Sequence, residues 1–189
     1  MSRKRSRPNT EARFQEAVLE IVAESGCEKL GINAVAIKAG ADKVLIYRYF
    51  GNLNGLLTTV AERQKWLPPI DELIPTKQSS PLNCADYLKA LFDRIVGHLR
   101  SVTTTHQLIR WRNAVRNPLT DHLSAEWSAF WKALPTRITR HSGQAAQTAW
   151  LHACSLIALL VEAELNDEVV ASNSIQLFAT NLPAPEVDA

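Results

Sequence analysis

The 189-residue chain is 46% apolar and 21% charged with a formal net charge of +2, a balance that excludes a disordered polymer. Its length accommodates a small module of about 50 to 65 residues joined to a larger one. Cys27, Cys84 and Cys154 are odd in number and lack C-x-x-C spacing, which argues against a disulfide framework and against a zinc site.

The charge is uneven. Residues 1–66 carry 11 Lys/Arg against 7 Asp/Glu, whereas the remainder carries 10 against 12. Arg3, Lys4, Arg5 and Arg7 precede the first acidic residue in a stretch too polar to pack. Residues 1–9 therefore read as a disordered basic arm, either a phosphate-seeking tail or a solubilising terminus. No apolar segment follows the arm, so a secretory signal is not expected and the location read from the sequence is cytoplasmic.

Phe14, Ala17, Val18, Ile21 and Val22 recur on one helical face with Glu16, Glu20 and Glu24 opposite, predicting a first helix from about Thr10 to Ser25 that stops at Gly26. A second helix fits Ile32–Ala39, with Val35, Ala36 and Ala39 inward, Gly31 as its N-cap and Gly40 as its end. Asp42 then caps a third, Lys43–Phe50, in which Ile46 and Phe50 share a face, and Gly51 breaks it. Asn52 caps a fourth, carrying Leu53, Leu56, Leu57, Val60 and Ala61 inward as far as Leu67 before Pro68 and Pro69.

The segment 68–81 contains four prolines and reads as a linker, dividing a domain at 10–67 from one at 82–189. Five further helices are predicted: Asn83–Val102, Thr105–Arg116, Thr120 to about His141 with a break or kink near Pro135, Gln144–Leu165 and Asp167–Asn181. Nothing alternates as a strand, and the expected fold class is all-α with about nine helices. Residues 149–161 are nearly all apolar, but 13 residues interrupted by His152 are too short to span a bilayer, so this stretch reads as a buried helix.

Two short helices joined by a glycine-containing turn, with small Ala36 four positions before Gly40, make a helix-turn-helix pattern. Val35-Ala-Ile-Lys-Ala-Gly-Ala-Asp, Ile46-Tyr-Arg-Tyr-Phe and Leu56-Leu57 fall in order within Phe14–Leu57. On these segments the stretch resembles the DNA-binding domain of the TetR family of repressors. The resemblance covers about a quarter of the chain and implies an N-terminal helix-turn-helix domain followed by a helical ligand-binding and dimerisation domain. Leu53 stands where the family commonly places a lysine against the DNA backbone, and Gly31 replaces the usual Thr or Ser cap.

With Ile46 and Phe50 inward, a 3.6-residue period turns Lys43, Val44, Tyr47 and Arg48 outward, toward a major groove. Arg48 can donate two hydrogen bonds to guanine O6 and N7, and Val44 can touch a thymine methyl. The resemblance places Lys43, Tyr47 and Tyr49 at phosphate or mixed contacts. Asn33, Lys38 and Asn52 are further phosphate candidates, and the arm residues Arg3, Lys4, Arg5 and Arg7 can follow the duplex.

A two-fold dimer on a palindromic operator is the economical arrangement for so small a reading surface. The Gln144–Leu165 helix is apolar nearly all round, and the resemblance implies that it and the last helix form a four-helix dimer bundle. Ala149, Ala153, Leu156, Leu160, Ile175 and Phe178 are the interface candidates. Phe92, His98, His106, Trp111, Trp127, Phe130, Trp131 and Trp150 are candidates to line an apolar effector pocket, with core packing as the competing reading of each.

His98 and His106 form no recognisable metal site, and no cofactor is expected. The chain lacks G-x-S-x-G, P-loop, H-E-x-x-H and dinucleotide fingerprints, so an enzyme is not expected. The function read from the sequence is a ligand-responsive transcriptional regulator: a dimer on operator DNA, most simply a repressor released by a small molecule. The alternatives are an all-helical dimeric adaptor and a small enzyme without DNA binding.

Overall fold

The computed structural model describes residues 7–74, 84–139 and 144–166. Its helices are α1 (Arg7–Ser25), α2 (Ile32–Ala39), α3 (Val44–Phe50), α4 (Leu53–Arg63), α5 (Ile70–Leu73), α6 (Cys84–Ser101), α7 (Thr103–Trp111), α8 (Pro118–Ile138) and α9 (Gln144–Leu165), with a 3-10 turn at Cys27–Lys29. No strand occurs among the described residues, as the all-α expectation requires. The helix expected at 167–181 lies outside them.

The chain forms two compact units, Met1–Trp66 with Thr103–Ala125, and Leu67–Val102 with Glu126–Ala189. The division differs from the expected 10–67 and 82–189. The segment holding α7 and the start of α8 belongs to the first unit, and the prolines at 68–69 lead directly into α5.

In the first unit, α1 buries the anticipated stripe of Phe14, Ala17, Val18, Ile21 and Val22. It starts three residues earlier than expected, so Arg7, Pro8 and Asn9 are helical rather than part of an arm. Proline is tolerated there because the first helical N–H groups have no partner to lose. Helix α1 stops at Gly26, whose φ of 75° is costly for an L-residue. A Cβ on Gly26 would also lie 2.5 Å from the indole nitrogen of Trp111. Helix α4 ends at Arg63, short of the expected Leu67, and Trp66 folds back so that its indole N–H donates to the Ala61 carbonyl at 3.3 Å.

Helix α8 begins at Pro118, two residues before the expected start, because the Asn117 side chain accepts from the N–H groups of Leu119 and Thr120 at 2.9 and 3.1 Å. Pro135 does not end the helix, which continues to Ile138.

In the second unit, α6 turns Tyr87, Leu88, Leu91, Ile95, Val96 and Leu99 inward. Trp150, Ala153, Cys154, Ile157, Val161 and Leu165 form the buried face of α9. Helices α6 and α9 are in contact, and the Tyr87 and Trp150 rings meet edge to face at 5.6 Å.

Within a single chain α9 is buried on one face only. Leu151 and Leu159 are 46% and 66% exposed, and the 19-residue stretch Gln147–Leu165 is only 33% buried. That stretch is long and apolar enough, by length and composition, to cross a membrane, because the helix runs beyond the 13 apolar residues read from the sequence. One face is nonetheless committed to protein, and Glu164 pairs with Arg100 at 2.9 Å.

Gly26→Ala is expected to lower stability by about 1–3 kcal/mol, the cost of holding a non-glycine residue in a sparsely populated backbone region. Gly97→Ala, within α6 and with open space around its Cα, is expected to raise stability by about 0.5–1 kcal/mol. Urea unfolding of both variants followed by far-UV circular dichroism checks the opposite signs.

Candidate nucleic-acid interface

The geometry begins with the turn between α2 and α3. Gly40 takes the left-handed conformation, φ 58° and ψ 41°, and its N–H returns to the carbonyls of Ala36 and Ile37. The Ala41 N–H also donates to Ala36 O, at 3.1 Å. This closure satisfies carbonyls at the end of α2 and turns the chain sharply enough to start α3. The Arg13 guanidinium, from α1, donates to the carbonyls of Ala39 and of Gly40, the latter at 2.9 Å. A cation at a helix C-terminus also opposes the negative end of its dipole. Sequence reading missed this clamp, since Arg13 carries no motif and its partners are backbone atoms.

At the other side of the turn, the Asp42 carboxylate accepts from the Val44 N–H at 2.9 Å, the cap expected of it, although helical pairing begins at Val44 rather than Lys43. Ile46 is fully buried, and the half-buried Phe50 ring meets Phe14 edge to face at 6.3 Å. Anchored on this underside, α3 presents Val44, Tyr47 and Arg48 to solvent, as its period predicted. The helix contains no acidic residue.

The other candidates separate into two groups. Lys43 is exposed and donates to Asn33 Oδ1 at 3.2 Å, which brings these two candidates together on the outer side of α2 and α3. Asn52 uses its Oδ1 to cap α4, accepting from the Gly55 N–H at 2.9 Å. Tyr49 is half-buried beneath the Arg7 guanidinium, 5.0 Å from its ring centroid, and Arg7 also pairs with Glu11 at 2.6 Å. Lys38 departs from expectation: its ammonium is held by Glu24 at 2.7 Å and Glu20 at 3.4 Å. Those carboxylates raise its pKa, so its charge is engaged by α1. Arg3, Lys4 and Arg5 lie outside the described residues. Leu53, at the departure from the family pattern, is half-buried. One exposed residue was missed, Ile37, which lies one turn beyond Asn33 on α2 and is 81% exposed.

The effector candidates are divided between the two units. His106 and Trp111 belong to the first unit, where Trp111 covers Gly26. Their sequence neighbourhood suggested otherwise because the chain returns to the first unit after α6. In the second unit, Trp150 is fully buried against Tyr87, and Trp127 and Phe130 are each 8% exposed. These two rings meet Trp131 edge to face at 5.6 and 5.2 Å. Packing thus occupies these rings. Phe92 and His98 are half-buried on α6.

In the second unit, two buried donors among the described residues nevertheless lack a hydrogen-bond partner, the Tyr87 hydroxyl and the Trp131 indole N–H. A groove of about 250 Å³ in the same unit is lined by Lys132, Pro135, Thr136, Thr139, Gln147, Thr148 and Leu151, none of them an effector candidate. Among the described residues no cluster of His, Cys, Asp and Glu could hold a metal. Of the dimer candidates, Ala153 is buried within the unit, Ala149, Leu156 and Leu160 are half-buried, and Ile175 and Phe178 lie outside the described residues.

Burial pushes the Cys27 thiol up to about 11 and the Cys154 thiol up to about 12. A thiol whose folded pKa is raised adds no pH dependence while both folded and unfolded forms are protonated. Stability should therefore fall as pH climbs above the ordinary thiol value toward about 11. Iodoacetamide at pH near 8 is expected to label half-buried Cys84 first and to reach Cys27 and Cys154 only in denaturant, read by intact mass.

No family model and no curated protein sequence matches the chain. Solved structures do. HlyIIR, a hemolysin II transcriptional regulator, is 15% identical with a TM-score of 0.59, covering 94% of this chain and 98% of its own. A TetR-like transcriptional regulator from Rhodococcus sp. RHA1 is 13% identical with a TM-score of 0.56, covering 94% and 95%. AibR, solved in complex with isovaleryl coenzyme A and operator DNA, is 13% identical with a TM-score of 0.55, covering 94% and 100%. Helix order, the αL turn at Gly40 and the agreement over nearly the full length of both partners together establish that the chain has the fold of the TetR-like transcriptional regulators.

Proposed function

We propose that the chain is a transcriptional regulator that binds a palindromic operator as a dimer and is released from it by a small molecule. The observation that carries this reading is the outer face of α3. Val44, Tyr47 and Arg48 stand exposed above a fully buried Ile46, on a helix without a carboxylate. An exposed face of this composition is suited to a polyanion with readable base edges: Arg48 donates to guanine, and Lys43 and Asn33 lie beside it for phosphate or base contact.

Dimerisation is supported by the uncovered side of α9. Thr148, His152, Ser155 and Leu159 are exposed and Ala149, Leu156 and Ala163 half-buried, giving small side chains for close approach and leucines for apolar area. A second copy is the occupant that fits a two-fold reader. Release by a small molecule is supported by the unpartnered Tyr87 hydroxyl and Trp131 N–H, because buried donors are costly unless something accepts from them. AibR, which shares the fold, was solved in complex with isovaleryl coenzyme A and operator DNA, so a protein of this fold takes both kinds of partner. Release follows if the effector prefers a conformation that spaces the two reading helices wrongly for successive grooves.

Selection of bound sites from a random duplex pool tests the reading directly: recovery of inverted half-sites about one helical turn apart supports it, and no enrichment at low salt rejects it. On a selected duplex, Arg48→Ala is expected to cost about 1–3 kcal/mol and to relax preference at one base pair. Lys43→Gln should reduce the slope of log K against log[salt] by about one, whereas Lys38→Gln, whose charge Glu20 and Glu24 already hold, should leave it unchanged. Leu159→Arg is expected to convert a dimer into a monomer in sedimentation at micromolar concentration.

A further inference from the structure

In the first unit, the exposed large apolar side chains among the described residues are Ile37, Val44 and Tyr47, at 81%, 60% and 52% exposure. They are not scattered. Ile37 stands one turn after Asn33 on α2, on the side away from buried Val35, Ala36 and Ala39. Val44 and Tyr47 are one turn apart on α3, and Lys43 precedes them. The hydrogen bond from Lys43 to Asn33 joins the two helical faces, so the apolar side chains lie on adjoining surfaces. Their rim is cationic, with Lys43 exposed just before α3 and Arg48 exposed on it.

An apolar patch rimmed by cations has one matching feature on a polyanionic duplex. Of the four bases, only thymine displays a methyl group in the major groove, and apolar side chains read it by contact. Phosphates and guanine edges offer Ile37 and Val44 nothing, because neither side chain can donate. Both are β-branched and lose little rotamer freedom when they touch a partner, which suits them to shape readout.

We propose that Ile37 and Tyr47 join Val44 in reading thymine 5-methyl groups, so that each half-site sets a cluster of thymines beside the guanine contacted by Arg48. This rests on the DNA-binding reading above and specifies the chemistry of its partner. Ile37 thereby becomes a specificity-determining residue on α2, outside the reading helix itself.

The test uses the full chain and a duplex selected from a random pool, resynthesised with deoxyuridine in place of thymidine at one position at a time. Removal of a contacted methyl should weaken binding about fourfold, from the ~0.8 kcal/mol typical of a buried methylene. Ile37→Ala and Val44→Ala should each abolish the penalty at one position while leaving that at the other intact. Both sites are exposed, so the variants keep the fold, which circular dichroism verifies. Selected half-sites without thymine, tolerance of deoxyuridine at every position, or variants that retain all the wild-type penalties would overturn the proposal while leaving DNA binding standing. A chain that enriches no duplex would instead remove the DNA-binding reading itself.

Discussion

The candidate interface depends on the seating of α3 by its underside. Ile46 is fully buried and Phe50 meets Phe14 of α1, which fixes the rotation of a helix only seven residues long. So short a helix is not stable alone, because nucleation costs more than its few hydrogen bonds return. Tertiary burial must therefore supply both its existence and its orientation. Once Ile46 faces inward, the 3.6-residue period leaves Val44, Tyr47 and Arg48 no choice but to face outward.

The clamp at the α2–α3 turn complements that seating. Gly40 closes α2, and Arg13 reaches from α1 to the Ala39 and Gly40 carbonyls. One side chain thus ties the start of the candidate interface to the helix that also supplies Phe14. Lys38, by contrast, is drawn back to α1 by Glu20 and Glu24. Cations close together in sequence are divided between holding the domain together and facing outward, and their neighbours decide which.

The second unit has a different economy. Aromatic side chains that could line a pocket are mostly spent on packing, with Trp150 against Tyr87 and Trp127 and Phe130 against Trp131. Two buried polar groups there, a hydroxyl and an indole N–H, are left without hydrogen-bond partners among the described residues. Helix α9 divides its apolar residues between a face packed in the unit and a face left open. Its composition alone could not distinguish this from burial on all sides.

The sequence by itself determined the helical class, the limits of α2 and α9, the cap at Asp42 and the outward set on α3. These follow from local rules: period, capping chemistry and the glycine at the turn. Only the tertiary structure decided that Trp111 covers Gly26, that Lys38 is paired with Glu20 and Glu24, that Arg13 clamps the turn and that Ile37 is exposed. Each of these depends on which residue of a distant segment arrives beside it. A pattern along one helix states which way a side chain points, and what it meets there is fixed by the rest of the fold.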